Sequence, residues 1–177
     1  SPQQALASAR RVLDETGADG VKIEGGSDIA GHVALLAKSG IAVLAHIGLL
    51  PQHVSSKSGF HITGRTAEEA AQLAVNASAL SQAGVFGIVM EGIIEPVAAS
   101  IAANCTVPTI GIGASPACDG QILVTEDILC LYDAFTPKFV EKFANLQNDI
   151  GVAAAAFHKA VVSGTFPQKQ HLFWPKK

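Results

Sequence analysis

Three short apolar stretches of the sequence each end in an ionisable residue: Glu24, His46 or Glu91. A continuous apolar run such as residues 85–90 is typical of a parallel strand that is covered on both faces. The carboxyl ends of such strands are where α/β barrels hold their catalytic groups. The sequence therefore predicts a site assembled from strand ends, with these three side chains as its first candidates.

Glu91 is the most specific of the candidates, because a single acid follows six uncharged residues. A carboxylate that is partly shielded from water is a candidate general base. The alternative is an acid that is favoured by the dipole of the helix that follows it. His46 also has two interpretations, which the sequence leaves open: a functional histidine, or a structural histidine at the end of an apolar strand.

Lys22 and Glu24 are two residues apart on one predicted strand and therefore share a face. Together they suit an oxyanion and a hard cation such as Mg²⁺, which prefers oxygen ligands. They suit an ordinary ion pair at a strand end equally well. Residues 111–115 form a small-residue turn after another strand, where backbone N–H groups could bind an anion. This turn lacks the full GxGxxG spacing of a dinucleotide site.

These candidates require alternating strands and helices to position them. Ser1, Pro2 and Gln4 predict the start of a first helix that ends near Glu15. Phe139, Phe143 and Phe157 have the spacing of core residues in two C-terminal helices. The pattern predicts strands over residues 20–24, 41–46, 85–90, 108–113 and 121–124, further helices over 28–39, 66–84, 94–104, 137–146 and 149–162, and a long loop over 47–65. Such an α/β order is typical of a doubly wound sheet or of part of a (β/α)8 barrel.

Composition limits the class of protein. A chain of 177 residues, 49% of them hydrophobic, is expected to form one domain over residues 1–177, with an irregular tail over 166–177. Charged residues make up 15% and the net charge is −3, which argues against nucleic acid as a partner. The sequence contains no stretch of about 18 uninterrupted apolar residues, so it predicts no membrane-spanning helix. Three cysteines without CxxC spacing favour neither a disulfide framework nor a zinc site.

Six strings occur in one order along residues 1 to about 167: GADGVKIEGG, AVLAHIGLLPQ, GFHITGRT, GIVMEGI, VPTIGIGASPACDGQILV and FTPKFV. In this combination the sequence resembles the ketopantoate hydroxymethyltransferase (3-methyl-2-oxobutanoate hydroxymethyltransferase) family. The resemblance implies a (β/α)8 TIM-barrel fold of the phosphoenolpyruvate mutase/isocitrate lyase-like group. It implies about five of the eight βα units, since the matches begin after the family's N-terminal third, which carries two aspartates and a serine that help to bind Mg²⁺ and the keto acid.

The resemblance also implies an activity. Members of the family transfer a hydroxymethyl group from 5,10-methylenetetrahydrofolate to 3-methyl-2-oxobutanoate, giving 2-dehydropantoate for pantothenate and coenzyme A biosynthesis. They use Mg²⁺ and form large cytoplasmic homo-oligomers, commonly decamers. Carried over by motif, Glu24 belongs to the Mg²⁺ site, Lys22 contacts the keto acid, His46 lies near the keto acid carboxylate, and Glu91 is the general base.

Four positions depart from the residues usual in the family: Leu50, Ser115, Glu126 and Cys130. They fall in loops and in the last strand–helix unit, so we expect them to change local geometry. Two other interpretations stay open at this point. One is another Mg²⁺-dependent 2-oxo acid lyase or mutase of the same barrel group, and the other is a non-catalytic fragment that folds or joins assemblies of complete chains.

Overall fold

The computed structural model describes residues 1–53, 61–132 and 134–175. The chain falls into two compact units, Ser1–Ile122 and Leu123–Lys177. Residues 54–60, in the middle of the loop predicted over residues 47–65, lie outside the described residues. Within the part of the chain that is described, no helix is long and apolar enough to cross a membrane.

The first unit alternates helices with strands, as the sequence predicts. Its elements are α1 (Pro2–Thr16), β1 (Gly20–Glu24), α2 (Ala30–Lys38), β2 (Ala42–Gly48), α3 (Ala67–Ala83), β3 (Gly87–Glu91), α4 (Glu95–Asn104), β4 (Thr109–Ile112) and β5 (Gly120–Gln121). The helix predicted from residue 28 instead begins with a separate 3-10 turn, Ser27–Ile29, before α2. A second 3-10 turn, Pro51–His53, follows β2.

The strands form one sheet in the order β1-β2-β3-β4-β5, and every neighbouring pair is parallel. A doubly wound sheet reverses its strand order at a switch point, whereas the strands of a (β/α)8 barrel follow one another around the sheet in chain order. The sequential order therefore decides between the two architectures that the sequence left open. The prediction of about five barrel-type βα units is confirmed.

Local sequence signals explain where the helices begin and end. The Ser1 hydroxyl accepts a hydrogen bond from the Gln4 N–H, and Gly17 ends α1 in the left-handed conformation. The Thr66 hydroxyl caps α3 in the same way, and Gly84 ends it at φ 97°. The cap at Ser1 was predicted from the sequence and is confirmed.

One face of the sheet is apolar and packs against the helices. Val43, Ala45, Ile88 and Met90 are fully buried on this face, and they belong to the same core as Val33 and Leu36 of α2, Leu80 of α3 and Ala98 of α4. Because side chains alternate between the two faces of a strand, the residues between these positions point away from the helices. The ionisable strand residues are among them.

The second unit contains α5 (Thr125–Leu129), α6 (Leu146–Val162) and a 3-10 turn, Lys169–His171. The helix predicted over residues 137–146 is wrong. The N–H groups of Phe143 and Ala144 both donate to the carbonyl oxygen of Ile128, which is not a helical pattern. The Asn145 side chain instead caps α6, which starts three residues earlier than predicted.

The prediction that Phe139, Phe143 and Phe157 are core residues is wrong for two of them. Phe143 and Phe157 are 69% and 58% exposed. Phe157 makes an edge-on ring contact with Phe166, with centroids 5.5 Å apart. Helical spacing identifies an apolar stripe, but it does not say whether that stripe is covered within the chain.

The loop between β4 and β5 is held by a carboxylate whose pKa the fold lowers. Asp119 accepts hydrogen bonds from the Thr109 N–H at 2.8 Å and from the Thr109 hydroxyl at 3.0 Å. These bonds favour the ionised form and lower the pKa of Asp119. A pKa that is lower in the folded than in the unfolded chain gives stability above the unfolded value, and this stability is lost as the pH falls through the folded value.

We therefore expect Asp119→Asn to lower the free energy of unfolding at neutral pH, and to lower it less and less below about pH 4. Urea denaturation of both chains at a series of pH values measures the difference. Asp14→Asn, which changes an exposed carboxyl group of α1, is the control. A destabilisation by Asp119→Asn that stays constant down to strongly acidic pH would contradict this assignment.

Candidate active site

The register of the first three strands brings the four predicted site residues to one face and one end of the sheet. Glu24 on β1 pairs with His46 on β2, and Glu91 on β3 pairs with Gly48, two residues beyond His46. Lys22 precedes Glu24 by two residues and shares its face. All four lie on the side opposite the helices, near the carboxyl ends of their strands.

His46 lies between the two carboxylates. Its Nε2 is 3.3 Å from Glu91 Oε2, and its Nδ1 is 3.7 Å from Glu24 Oε1. The imidazole is 1% exposed, whereas the carboxylate side chains are 11% exposed at Glu24 and 15% at Glu91. The structure thus places a buried ring with an acid on each side, and both acids retain access to solvent.

Neither ring nitrogen of His46 has a hydrogen-bond partner within the described residues. Buried polar nitrogens are nearly always paired in native structures, so each such group needs an explanation. The two carboxylates are the neighbours at ion-pair distance, and small movements would bring either into hydrogen-bond range. The ring is therefore placed to hold a carboxylate or to donate to a polar ligand.

Lys22 forms an ion pair with Glu24, with 3.8 Å between Nζ and Oε1. This pair was one of the two interpretations that the sequence left open. The lysine side chain is 48% exposed. A half-exposed pair at this distance contributes little to stability because water screens it. The ammonium group can therefore move from the carboxylate to an anionic ligand without a large cost to the fold.

Backbone contacts fix the strand end that carries Glu91. The Leu49 N–H donates to the Glu91 carbonyl oxygen at 2.8 Å. The Gly92 N–H donates to Ile112 of β4 at 3.0 Å, and the Gly92 carbonyl oxygen accepts from the Thr63 N–H at 2.8 Å. Three chain segments therefore hold the Glu91–Gly92 peptide group and the peptide group that follows it, which restricts where the carboxylate can reach.

Glu24 is held by its side chain as well as by its strand. Its Oε2 accepts a hydrogen bond from the Gln52 N–H at 3.1 Å. This contact was not predicted, because a backbone donor leaves no signal in the residue type. The other oxygen, Oε1, faces His46 and Lys22.

The turn over residues 111–115 is closed by side chains of the protein. The Ser115 hydroxyl, 2% exposed, donates to Glu95 Oε1 at 3.1 Å and accepts from the Ala117 N–H. Gln121 donates to the Ser115 carbonyl oxygen at 2.8 Å. A carboxylate beside the turn disfavours an anion there, and anion binding at this turn stays a prediction. Ser115 departs from the residue usual in the family, and its link to Glu95 was not predicted, because the two residues are 20 positions apart in the sequence.

Glu24 fits a Mg²⁺ site as one ligand of a larger set. Mg²⁺ is octahedral and takes oxygen ligands, commonly one or two carboxylates with several waters. The described residues contain no group of three or more His, Cys, Asp or Glu side chains that could hold a metal. A carboxylate with one backbone donor on Oε2 can still bind a cation directly or through water, so its chemistry suits the implied role without completing the site.

Comparisons with known proteins connect this geometry to a family. A family model for ketopantoate hydroxymethyltransferase matches residues 1–169. The 3-methyl-2-oxobutanoate hydroxymethyltransferase of Rhizobium rhizogenes is 48% identical over 177 residues, all of this chain and 65% of that protein. The Mesorhizobium japonicum enzyme of the same name is 50% identical over 173 residues, 98% of this chain and 60% of that protein. The chain thus spans roughly two thirds of the length of these curated relatives.

Among solved structures, a protein from Burkholderia cenocepacia described as a phosphonomutase aligns with 62% of this chain and 46% of its own. The sequence identity is 15% and the TM-score is 0.42. The sheet order reported above, and not this alignment, supports the barrel-type fold.

We expect Gly48→Ala to disturb the strand end of Glu91. Gly48 has φ 94°, and an added Cβ would overlap the Glu91 carbonyl oxygen. A residue forced into this conformation costs about 1–3 kcal/mol before the overlap is counted. Chemical denaturation measures the loss of stability.

Gly31→Ala is the matched control. Gly31 lies in α2, and a Cβ there meets nothing within 4 Å. Alanine in place of a helix glycine is expected to stabilise by about 0.5–1 kcal/mol. Equal effects of the two substitutions would show that the contact between Gly48 and Glu91 does not constrain the site.

Proposed function

The chain belongs to the ketopantoate hydroxymethyltransferase family, and we propose that it carries the acid–base part of the transfer of a hydroxymethyl group to 3-methyl-2-oxobutanoate. The donor we propose is 5,10-methylenetetrahydrofolate, and the product is 2-dehydropantoate for pantothenate biosynthesis. One observation supports this proposal above the others: the buried His46 ring lies 3.3 Å from the partly exposed Glu91 carboxylate at the carboxyl end of a parallel sheet.

The reaction needs a base for the hydrogen on C3 of the 2-oxo acid, and Glu91 suits that role. Its carboxylate is 15% exposed, so it is shielded from bulk water while a small ligand can still reach it. The backbone contacts of Leu49 and Gly92 hold it in place. A positioned base whose geometry is fixed before the substrate arrives accelerates proton transfer.

In the proposed sequence, Glu91 takes the C3 proton and the electron pair moves into the C2 carbonyl, forming an enolate. C3 of the enolate then bonds to the methylene carbon of the folate as one of that carbon's two bonds to nitrogen breaks. Water supplies the hydroxyl oxygen as the second carbon–nitrogen bond breaks. The two folate nitrogens take up the proton held by Glu91 and one proton of the water, and tetrahydrofolate leaves. His46 keeps the Glu91 carboxylate oriented through this sequence by its Nε2 contact.

The developing negative charge needs a cation nearby. Lys22 supports this role because its ammonium is half exposed and weakly paired on the face that carries Glu24 and His46. Cations placed where charge develops stabilise the transition state. We propose that Mg²⁺, with Glu24 among its ligands, polarises the carbonyl of the 2-oxo acid when it is bound.

We propose that the chain forms a cytoplasmic homo-oligomer, as the family resemblance implies. The described part of α6 supports assembly, because this 17-residue helix has no buried residue. Five of its large apolar side chains are 48–73% exposed, namely Ile150, Val152, Phe157, Val161 and Val162. Apolar stripes left uncovered on a chain commonly mark contacts with other proteins.

We expect light scattering to give a mass that is a multiple of 18.2 kDa. Ile150→Glu on α6 is expected to lower that mass, because a charge replaces an exposed apolar contact residue. Asn148→Glu, a charge added near the start of the same helix, is the control. A wild-type chain that runs as a monomer would contradict the proposed assembly.

The decisive test of the activity is exchange of the C3 hydrogen of 3-methyl-2-oxobutanoate with deuterium from D₂O, followed by proton NMR in the presence of Mg²⁺. Glu91→Gln is expected to reduce the exchange rate by about 10²–10⁴-fold, since the amide cannot act as a base. Glu141→Gln, at an exposed position of the second unit, should leave the rate unchanged.

Three outcomes separate the alternatives. Exchange that depends on Glu91, followed by product formation with the folate, supports the proposal. Exchange with cleavage of a carbon–carbon bond and no folate dependence would indicate a lyase or mutase of the same barrel type. A folded chain that shows no exchange would indicate a non-catalytic fragment.

A further inference from the structure

The turn that follows Glu24, residues 25–27, is contacted by the side chain of Asn76 from α3. The Ser27 N–H donates a hydrogen bond to Asn76 Oδ1 of α3 at 3.0 Å, across 49 residues of sequence. The same oxygen accepts from Gln72 Nε2, one helical turn earlier, at 2.9 Å. Asn76 Oδ1 is therefore saturated by one donor from the turn and one from its own helix.

Gly26 makes this contact possible. It is buried, and an added Cβ would overlap the amide group of Asn76. The amide therefore lies directly against the backbone of the turn, where no other residue type would leave room. Such a close fit between a side chain and a glycine fixes their relative position more tightly than the hydrogen bond alone.

Two further hydrogen bonds connect the turn to β2 and close the turn on itself. The Gly25 N–H donates to the His46 carbonyl oxygen at 3.1 Å, which ties the turn to β2. The Gly26 N–H donates to Asp28 Oδ1 at 2.9 Å, which closes the turn on itself. Three consecutive residues after Glu24 are thus held by β2, by the turn and by α3.

We propose that Asn76 is a positioning residue that fixes the Glu24 carboxylate beside His46. Glu24 is bonded directly to this turn, and its Oε1 must lie where it meets His46 Nδ1 at 3.7 Å. The importance of that position for catalysis rests on the function proposed above, whereas the placement itself can be measured without substrate or metal.

The residue type supports a dedicated role. Asn76 lies in the interior of α3, where asparagine is a poorer helix former than alanine or leucine. Its acceptor serves a turn outside the helix, and its half-buried side chain packs on a glycine that accommodates it.

The test compares Asn76→Ala and Asn76→Asp by NMR on the ¹⁵N-labelled chain. Asn76→Ala removes the acceptor, so protection of the Ser27 amide against hydrogen exchange should fall by about two- to tenfold. The imidazole ¹⁵N resonances of His46 should move toward those of Glu24→Gln, which removes the charge that faces Nδ1. Asn76→Asp keeps an oxygen at the same place and should preserve both signals.

Ser78→Ala is the matched control, because it removes an exposed hydroxyl group of α3 that accepts a hydrogen bond from Gln82 Nε2. It should change neither signal. The proposal is overturned if Asn76→Ala lowers the protection of Ser27 while the His46 resonances stay at their wild-type positions, since the contact would then hold the turn alone.

If Asn76→Ala does not fold, Gly26→Ala tests the same contact from the other side by displacing the amide, with the same two signals as readouts. A chain without C3 exchange activity would refute the proposed function and leave these signals interpretable. Preserved activity with shifted His46 resonances would confirm the placement of Glu24 by Asn76 and refute its importance for catalysis.

Discussion

The candidate site depends on one arrangement, a buried imidazole between two carboxylates. The acids at the ends of β1 and β3, which have β2 between them, repel each other, and partial burial strengthens that repulsion because less water screens it. The His46 ring separates them and offers one nitrogen to each, with Nδ1 toward Glu24 and Nε2 toward Glu91. The other features of the site follow from the need to keep these three groups on adjacent strands in a fixed register.

Register of this kind comes from the core on the other side of the sheet. Val43 and Ala45 on β2 and Ile88 and Met90 on β3 are fully buried against the helices. A shift of one residue in β2 would expose Val43 and Ala45 and drive His46 into the helix layer, and the same shift in β3 would do this to Glu91. Both changes are costly. The apolar residues between the ionisable ones therefore determine the geometry of the site as firmly as direct contacts do.

Much of this arrangement could be predicted from the sequence, because its signals are local. Strand ends, helix caps such as Ser1 and Thr66, and the alternation that puts Lys22 beside Glu24 all depend on residues close together in the chain. The contacts of Gln52 and Asn76 with the strand end of β1 could not be predicted, since they join residues 28 and 49 positions apart through a backbone donor or a common polar side chain. The wrong prediction of a helix over residues 137–146 has the same origin. The carbonyl oxygen of Ile128, distant in sequence, accepts hydrogen bonds from the N–H groups of Phe143 and Ala144, which a helix would have paired internally.

The acid–base and metal parts of the proposed reaction place different demands on the fold. A held base needs a carboxylate, a neighbour and a fixed register, and three consecutive strands provide all of these for Glu91. An octahedral cation needs several oxygens that converge from different strand ends around a barrel mouth. The first requirement is met within one continuous piece of sheet, whereas the second draws on strands that are far apart in sequence. For the proposed reaction, the described residues therefore hold the base more completely than they hold a metal site.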